Sequence, residues 1–154
     1  MALYYLDTSA LVKLYIRESG TERLLQLVGV TQHKFAILAL AQIEFHSAVR
    51  RRARAGDIGS ASADEVLARF ARHLEAKFLR QPVNEAVLET ARNLVDRHPL
   101  RAYDAIQLAG CLVLRSSMGQ ESPVFVSADQ DQSQAAEAEG LVCLNPRPES
   151  GRSA

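Results

Sequence analysis

Residues 3–15 read LYYLDTSALVKLY. The apolar run Leu3 to Leu6 has no polar alternation, as expected of a strand buried on both faces. Thr8 or Ser9 can then cap a helix through Ala10 to Ile16. Asp7 therefore stands where a buried strand turns into a helix. A carboxylate there is stripped of water and needs hydrogen bonds, a proton or a cation to compensate it.

The elements further along the chain repeat this alternation. Helical composition at Thr21 to Leu27 precedes a second strand, Phe35 to Leu38, and a long helix from Ala41 to Ala55 stops at Gly56. Ser62 and Glu65 have capping-box spacing and predict a helix with Val66, Leu67, Phe70 and Leu74 on one face. Asn84 caps the next, with Val87, Ala91, Leu94 and Val95 apolar, and Pro99 closes it. The helix from Ala102 to about Ser116 is apolar nearly all round and belongs in the core. A third strand, Val124 to Val126, a helix around Gln134 to Glu139 and a last strand, Leu141 to Leu144, complete the pattern. Strands separated by helices predict an α/β chain with a largely parallel sheet covered on both faces.

That order gives three acids one address. Asp7 follows the first strand, Asp129 follows the strand of VFVSAD, and Asp104 opens the buried helix. Ligand sites of open parallel sheets gather at the carboxyl ends of the strands. Glu44, in LAQIEFHSAV, joins them from the apolar side of its helix, beside Leu40, Ala41 and Ala48. Each acid alone also reads as a cap, a turn residue or a snorkelling tip. Four independent caps, however, have no reason to converge on one sheet edge. Converging carboxylates raise one another's pKa, and a hard, oxygen-seeking cation such as Mg²⁺ or Mn²⁺ relieves them.

Composition narrows the alternatives. With 154 residues, 47% hydrophobic and 23% charged, the chain suits one packed domain over residues 1–145, followed by a disordered tail over 146–154. The formal net charge is zero, so any attraction to nucleic acid must be local. Cys111 and Cys143 have no CxxC spacing and read as reduced, buried thiols in a cytoplasmic protein with no signal peptide and no membrane span. The histidines, His46 included, have no metal-binding spacing, and no glycine-rich phosphate loop is present. A carboxylate site without such a loop suits metal-assisted hydrolysis of a phosphodiester.

At these residues the sequence resembles the PIN-domain family, and within it the VapC ribonuclease toxins of type II toxin-antitoxin pairs. The matching pieces are YLDTSALVKLY, the Glu of LAQIEFHSAV, LRAYDAIQLA and VFVSADQD, which span Tyr4 to about Leu144. The resemblance implies a three-layer α/β/α sandwich, usually dimeric, that acts as a metal-dependent endoribonuclease. It makes Asp7, Glu44, Asp104 and Asp129 the acids, with Ser9 and Ser127 as hydroxyl neighbours and Asp131 as a further acid behind them. Ser127 departs mildly from the family's usual Thr. The implied partners are RNA as substrate and a small VapB-like antitoxin that also binds operator DNA.

The residues themselves fit these roles. Asp7, Asp104 and Asp129 would hold the metal directly or through water, while Glu44 would orient water, bind a second metal or accept a proton. Arg50, Arg51, Arg52 and Arg54 lie on the far end of Glu44's helix, where they could follow an RNA backbone or form a solvated helix end. A phosphoryl-aspartate enzyme would need a second acid where Ser9 stands, and a receiver domain would need an Asp after the FAIL strand, where Ala39 stands. Two rivals stay open: a solitary RNA-processing nuclease, and a non-catalytic PIN-like binding or assembly module.

Overall fold

The computed structural model describes residues 2–148. Five strands form one all-parallel sheet in the order β3-β2-β1-β4-β5, with β1 at Leu3–Leu6, β2 at Lys34–Leu38, β3 at Phe78–Gln81, β4 at Val124–Val126 and β5 at Val142–Leu144. The helices are α1 (Thr8–Lys13), α2 (Thr21–Val28), α3 (Ala41–Arg54), α4 (Ser60–Lys77), α5 (Glu85–Arg97), α6 (Ala102–Ser116) and α7 (Gln130–Ala138). From β1 the chain builds outward to β2 and β3, then returns to lay β4 on the other side of β1. The switch point between β1 and β4 is where an open α/β sheet presents a crevice.

The pleat sends successive side chains to opposite faces. Tyr5, Ala36 and Phe125, in register across β1, β2 and β4, join residues of α5, α6 and α7 in one core. Leu6, Ile37 and Val126, one step along, join α1, α2, α3 and α4 in the other. This is the expected three-layer sandwich. On the first face α6 lies close to β1: a Cβ on Gly110 would sit 2.4 Å from the Tyr5 hydroxyl and 2.7 Å from Leu38 Cδ1. Only glycine lets that helix approach so closely.

Four expectations need correction. β3 was not foreseen; it is an edge strand in which only Gln81 is buried, so FLRQ carries no apolar run. Ser62 and Glu65 form no capping box. Ile58 packs against the second core, Gly59 is extended at φ −69° and ψ 154°, and the helix begins at Ser60, which leaves Ser62 inside its first turn. α7 starts at Gln130, ahead of its apolar residues, because Asp129 caps it. Cys143 is only half-buried, although both cysteines are free thiols.

Of the expected tail, Asn145 to Pro148 are described and residues 149–154 lie outside the described residues. Arg23 donates to the Asn145 carbonyl at 3.2 Å, and the Pro146 backbone lies 3.0 Å from where a Cβ on Gly20 would stand. Gly20, at φ +99°, accommodates this contact without strain. Among the described residues no helix is long and apolar enough to cross a membrane.

Candidate active site

The β1–β4 switch point opens into a cavity of about 620 Å³ whose lining includes Asp7, Glu44, Asp104 and Asp129. The fold thus brings the four acids to one place from four elements: the end of β1, α3, the first turn of α6 and the first residue after the β4 turn.

Asp7 is the most enclosed, at 4% exposure. Its Oδ1 accepts from the Ser9 hydroxyl at 2.7 Å and the Ala10 N–H at 2.8 Å, and its Oδ2 accepts from the Ser127 hydroxyl at 2.6 Å. The cap of α1 is therefore Asp7 itself, where Thr8 or Ser9 was expected. These three bonds favour the charged form, but burial opposes them and prevails. Burial first, with the Asp104 charge adding to it, lifts the Asp7 pKa to about 6.

Ser127 joins the strand ends. It is fully buried, and its hydroxyl also accepts the Asp129 N–H at 3.0 Å. Gln132 Oε1 stands 3.1 Å from the same hydroxyl, but the single proton favours the nearer, charged Asp7. Asp129 caps α7 by accepting the Gln132 N–H at 2.8 Å. Gln132, 1% exposed, in turn donates from Nε2 to the Asp104 carbonyl at 3.1 Å. Burial, then the Asp129 charge, raises the pKa of Asp104, against the pull of Arg101. The acids thus sense one another electrostatically, although among the described residues no three His, Cys, Asp or Glu side chains form a group ready to hold a metal ion.

A polar girder supports the other side. Gln107, 1% exposed, donates from Nε2 to Thr8 Oγ1 and to the Tyr103 hydroxyl, each at 3.0 Å. Its Oε1 is buried without a partner among the described residues. Burial holds the Tyr103 phenol well above its ordinary range; the Thr8 hydroxyl opposes this and the nearby Glu44 carboxylate reinforces it. Tyr103 therefore stays neutral beside Glu44.

The remaining sequence candidates separate. Ser9 and Ser127 both touch Asp7. Asp131 is exposed and does not line the cavity; its neighbour Gln132 does. His46 is exposed. Arg51 and Arg52 line the cavity, whereas Arg50 pairs with Asp64 of α4 at 2.8 Å and Arg54 points to solvent. Sequence reasoning missed Lys13, Glu18, Tyr103, Gln107, Gln132 and Arg147, which also line the cavity. For Gln107 a signal existed, since it is an amide inside the apolar helix AIQLAGCLVL.

Comparison with known proteins agrees with this geometry. Residues 4–138 match the family model of the PIN domain. No curated protein matches the chain in sequence. VapC20 of Mycobacterium tuberculosis, a sarcin-ricin loop cleaving toxin, is similar in structure with a TM-score of 0.66 at 20% identity, over 96% of this chain and 100% of that one. VapBC2 of Rickettsia felis, bound to a DNA fragment from its promoter, gives 0.65 at 11% identity over 93% and 98%. FitAcB of Neisseria gonorrhoeae gives 0.65 at 15% identity over 95% and 98%. At such identities the likeness is one of fold. With most of its length matching the family model and its acids at the β1–β4 switch point, the chain belongs to the PIN-domain family.

Proposed function

We propose that the chain is a Mg²⁺- or Mn²⁺-dependent endoribonuclease of VapC type, the toxin of a type II toxin-antitoxin pair. The observation that carries this reading is the convergence of Asp7, Glu44, Asp104 and Asp129 on one cavity at the sheet's switch point. The donor set fits a hard divalent cation. It offers carboxylates, and among the described residues no imidazole or thiol lines the cavity. The charges that raise the pKa of Asp7 and Asp104 are those of neighbouring carboxylates, which a cation neutralises.

Asp7, Asp104 and Asp129 would hold the cation, directly or through water. When bound, it would supply an activated water and stabilise charge on the phosphodiester. Ser9, Ser127 and the Ala10 N–H fix the orientation of the Asp7 carboxylate. Gln132 fixes the start of α6 against the β4 turn. Glu44, with Tyr103 beside it, would orient the attacking water or take its proton.

The kinship of fold with VapC20 and with antitoxin-bound VapBC complexes supports RNA as substrate and a VapB-like antitoxin as partner. A homodimer in the cytoplasm completes the reading. Such an antitoxin would place an Arg or Lys among the acids, its charge standing in for the metal's. The test is cleavage of total cellular RNA by wild type and Asp7→Asn, with Mg²⁺ and with chelator. Cleavage by wild type that survives the chelator, or that Asp7→Asn retains in full, overturns the proposal. A short upstream reading frame for a DNA-binding protein, whose co-expression silences cleavage, separates the toxin from a solitary RNA-processing nuclease.

A further inference from the structure

The cavity holds cations as well as acids, and two of these cations, Lys13 and Arg52, meet at one carboxylate. Lys13, the last residue of α1, has a side chain only 3% exposed, and its Nζ donates to Glu18 Oε1 at 2.8 Å. Arg52 of α3 donates to the other oxygen, Glu18 Oε2. Glu18 is held in place in turn. Its N–H donates to Thr21 Oγ1 at 3.0 Å, and that hydroxyl donates to the Lys13 carbonyl at 2.8 Å. Lys13, Glu18 and Arg52 all line the cavity that contains the four acids.

Two cations share one carboxylate here, which leaves one positive charge uncompensated within the cluster. Lys13 uses one of its three N–H donors on Glu18, and no other side-chain acceptor takes the rest among the described residues. A buried lysine costs desolvation that an apolar residue would avoid, so a mere tie between α1 and α3 would be better made without it. Its helix neighbours Ala10, Leu11 and Val12 are all apolar and buried. By helix rise Lys13 stands about 9 Å along the axis from Asp7. Both line one cavity, so a strand passing over the acids comes within reach of Lys13.

The geometry points to a phosphate-backbone subsite in which Lys13 and Arg52 bind a phosphate next to the scissile one, with Glu18 as the internal counter-ion that holds both cations in place. This rests on the proposed ribonuclease reading and adds residues outside its acid set. Glu18 lowers the net attraction of the pair for the strand while holding Lys13 and Arg52 in place. The subsite reads backbone and carries no base preference.

The test is binding of a labelled single-stranded RNA of mixed sequence, with Mg²⁺ present, by the full chain carrying Asp7→Asn to prevent cleavage, across a salt series. Adding Lys13→Gln should flatten the log–log salt slope by about 0.7, the value of one single-strand phosphate contact, and weaken binding about fivefold at 0.1 M salt. Lys13→Arg should restore the slope. Glu18→Gln should tighten binding, whereas a purely structural tie would leave it unchanged or weaken it. Should Glu18→Gln fail to fold, Arg52→Gln, whose side chain is 32% exposed, carries the same slope test. An unaltered slope in Lys13→Gln, or weaker binding by a folded Glu18→Gln, overturns the subsite alone. An Asp7→Asn protein with no salt-dependent affinity for RNA overturns the ribonuclease reading along with it.

Discussion

Asp7 and Lys13 sit at opposite ends of the short helix α1, both buried and both charged types, yet they are held by opposite means. Asp7 is bound by neutral donors, two hydroxyls and an N–H, with no ion pair among the described residues. Lys13 is bound by a formal counter-ion, Glu18, whose carboxyl is kept below its usual range: burial pushes it up, but Lys13 and Arg52 prevail. The acid is well oriented but electrically uncompensated; the lysine has a counter-ion, which it shares with Arg52. An orienting cage without neutralisation leaves Asp7 to gain from a proton or a metal ion, which suits a metal ligand.

The largest expected effect breaks the acid side outright. Asp7→Asn and Asp104→Asn should each reduce RNA cleavage by at least on the order of 10²–10³, as loss of a charge acting on the reacting centre does. Both should keep the fold, because the swaps are nearly isosteric. Initial rates and circular dichroism on the purified variants check this, and a variant that cuts like wild type removes its residue from the site.

Next in size is the pH dependence of the metal-free protein. The Asp7 pKa is about 6 in the folded state against an ordinary 3.8. Between those values the native state binds more protons than the unfolded chain, so stability is highest below pH 4 as far as this group goes, and falls as pH rises toward 6. The loss is on the order of 3 kcal/mol, from the shift at 1.36 kcal/mol per unit. Asp104, also raised, acts in the same direction. Asp7→Asn should flatten that limb of a denaturant-midpoint-against-pH curve. Mn²⁺ at a hundredfold above its dissociation constant should restore about 2.7 kcal/mol to wild type near neutral pH. Indifference of the wild type to Mn²⁺ would sink the metal-site reading.

These two predictions concern residues that were legible in the sequence, and the reason is local. An acid at the end of a buried apolar run can be read without knowing its neighbours, as at Asp7 directly after β1 and at Asp129 three residues beyond β4. The bland reading was also right: both acids do cap helices, α1 and α7, through hydrogen bonds to the N–H three residues on. A cap and a ligand are compatible, since a carboxylate has two oxygens and capping uses one. What sequence could not show was long-range. Glu18 meets Arg52 across 34 residues, and Gln107 meets Thr8 across 99. Lys13 reads as a solvated charge until the cavity wall around it is known. β3 was missed for the converse reason, because an edge strand that buries one residue has no pattern to read.

A smaller effect is expected at the support between the acids. Gln132→Leu keeps the volume near but removes the bond to the Asp104 carbonyl. The Asp104 carbonyl keeps its own helical N–H, so losing the second bond should destabilise the fold by only about 0.5–1.5 kcal/mol. If the bridge positions Asp104, kcat should fall with KM little changed, which separates positioning from loss of substrate contact. Unchanged stability and kcat would make Gln132 a passive filler.

The smallest effect should come from the arginines that the fold turns away from the cavity. The run RRRAR reads as one basic block, yet helical geometry divides it, since positions 50 and 54 share a face that 51 and 52 do not. Arg50 is spent on Asp64, an exposed pair worth about 0–1 kcal/mol, and Arg54 stands in solvent. Arg50→Gln with Arg54→Gln should therefore leave the salt slope of RNA binding within about 0.3 of the parent, less than half of one single-strand phosphate contact. Arg51→Gln, on the cavity wall, should flatten it measurably. The contrast tests whether the cavity or the bulk charge of the helix recruits the strand. A loss in the outward-facing pair equal to that of Arg51→Gln would mean that RNA runs along α3 outside the cavity, and Lys13 would then lose its special place beside Asp7.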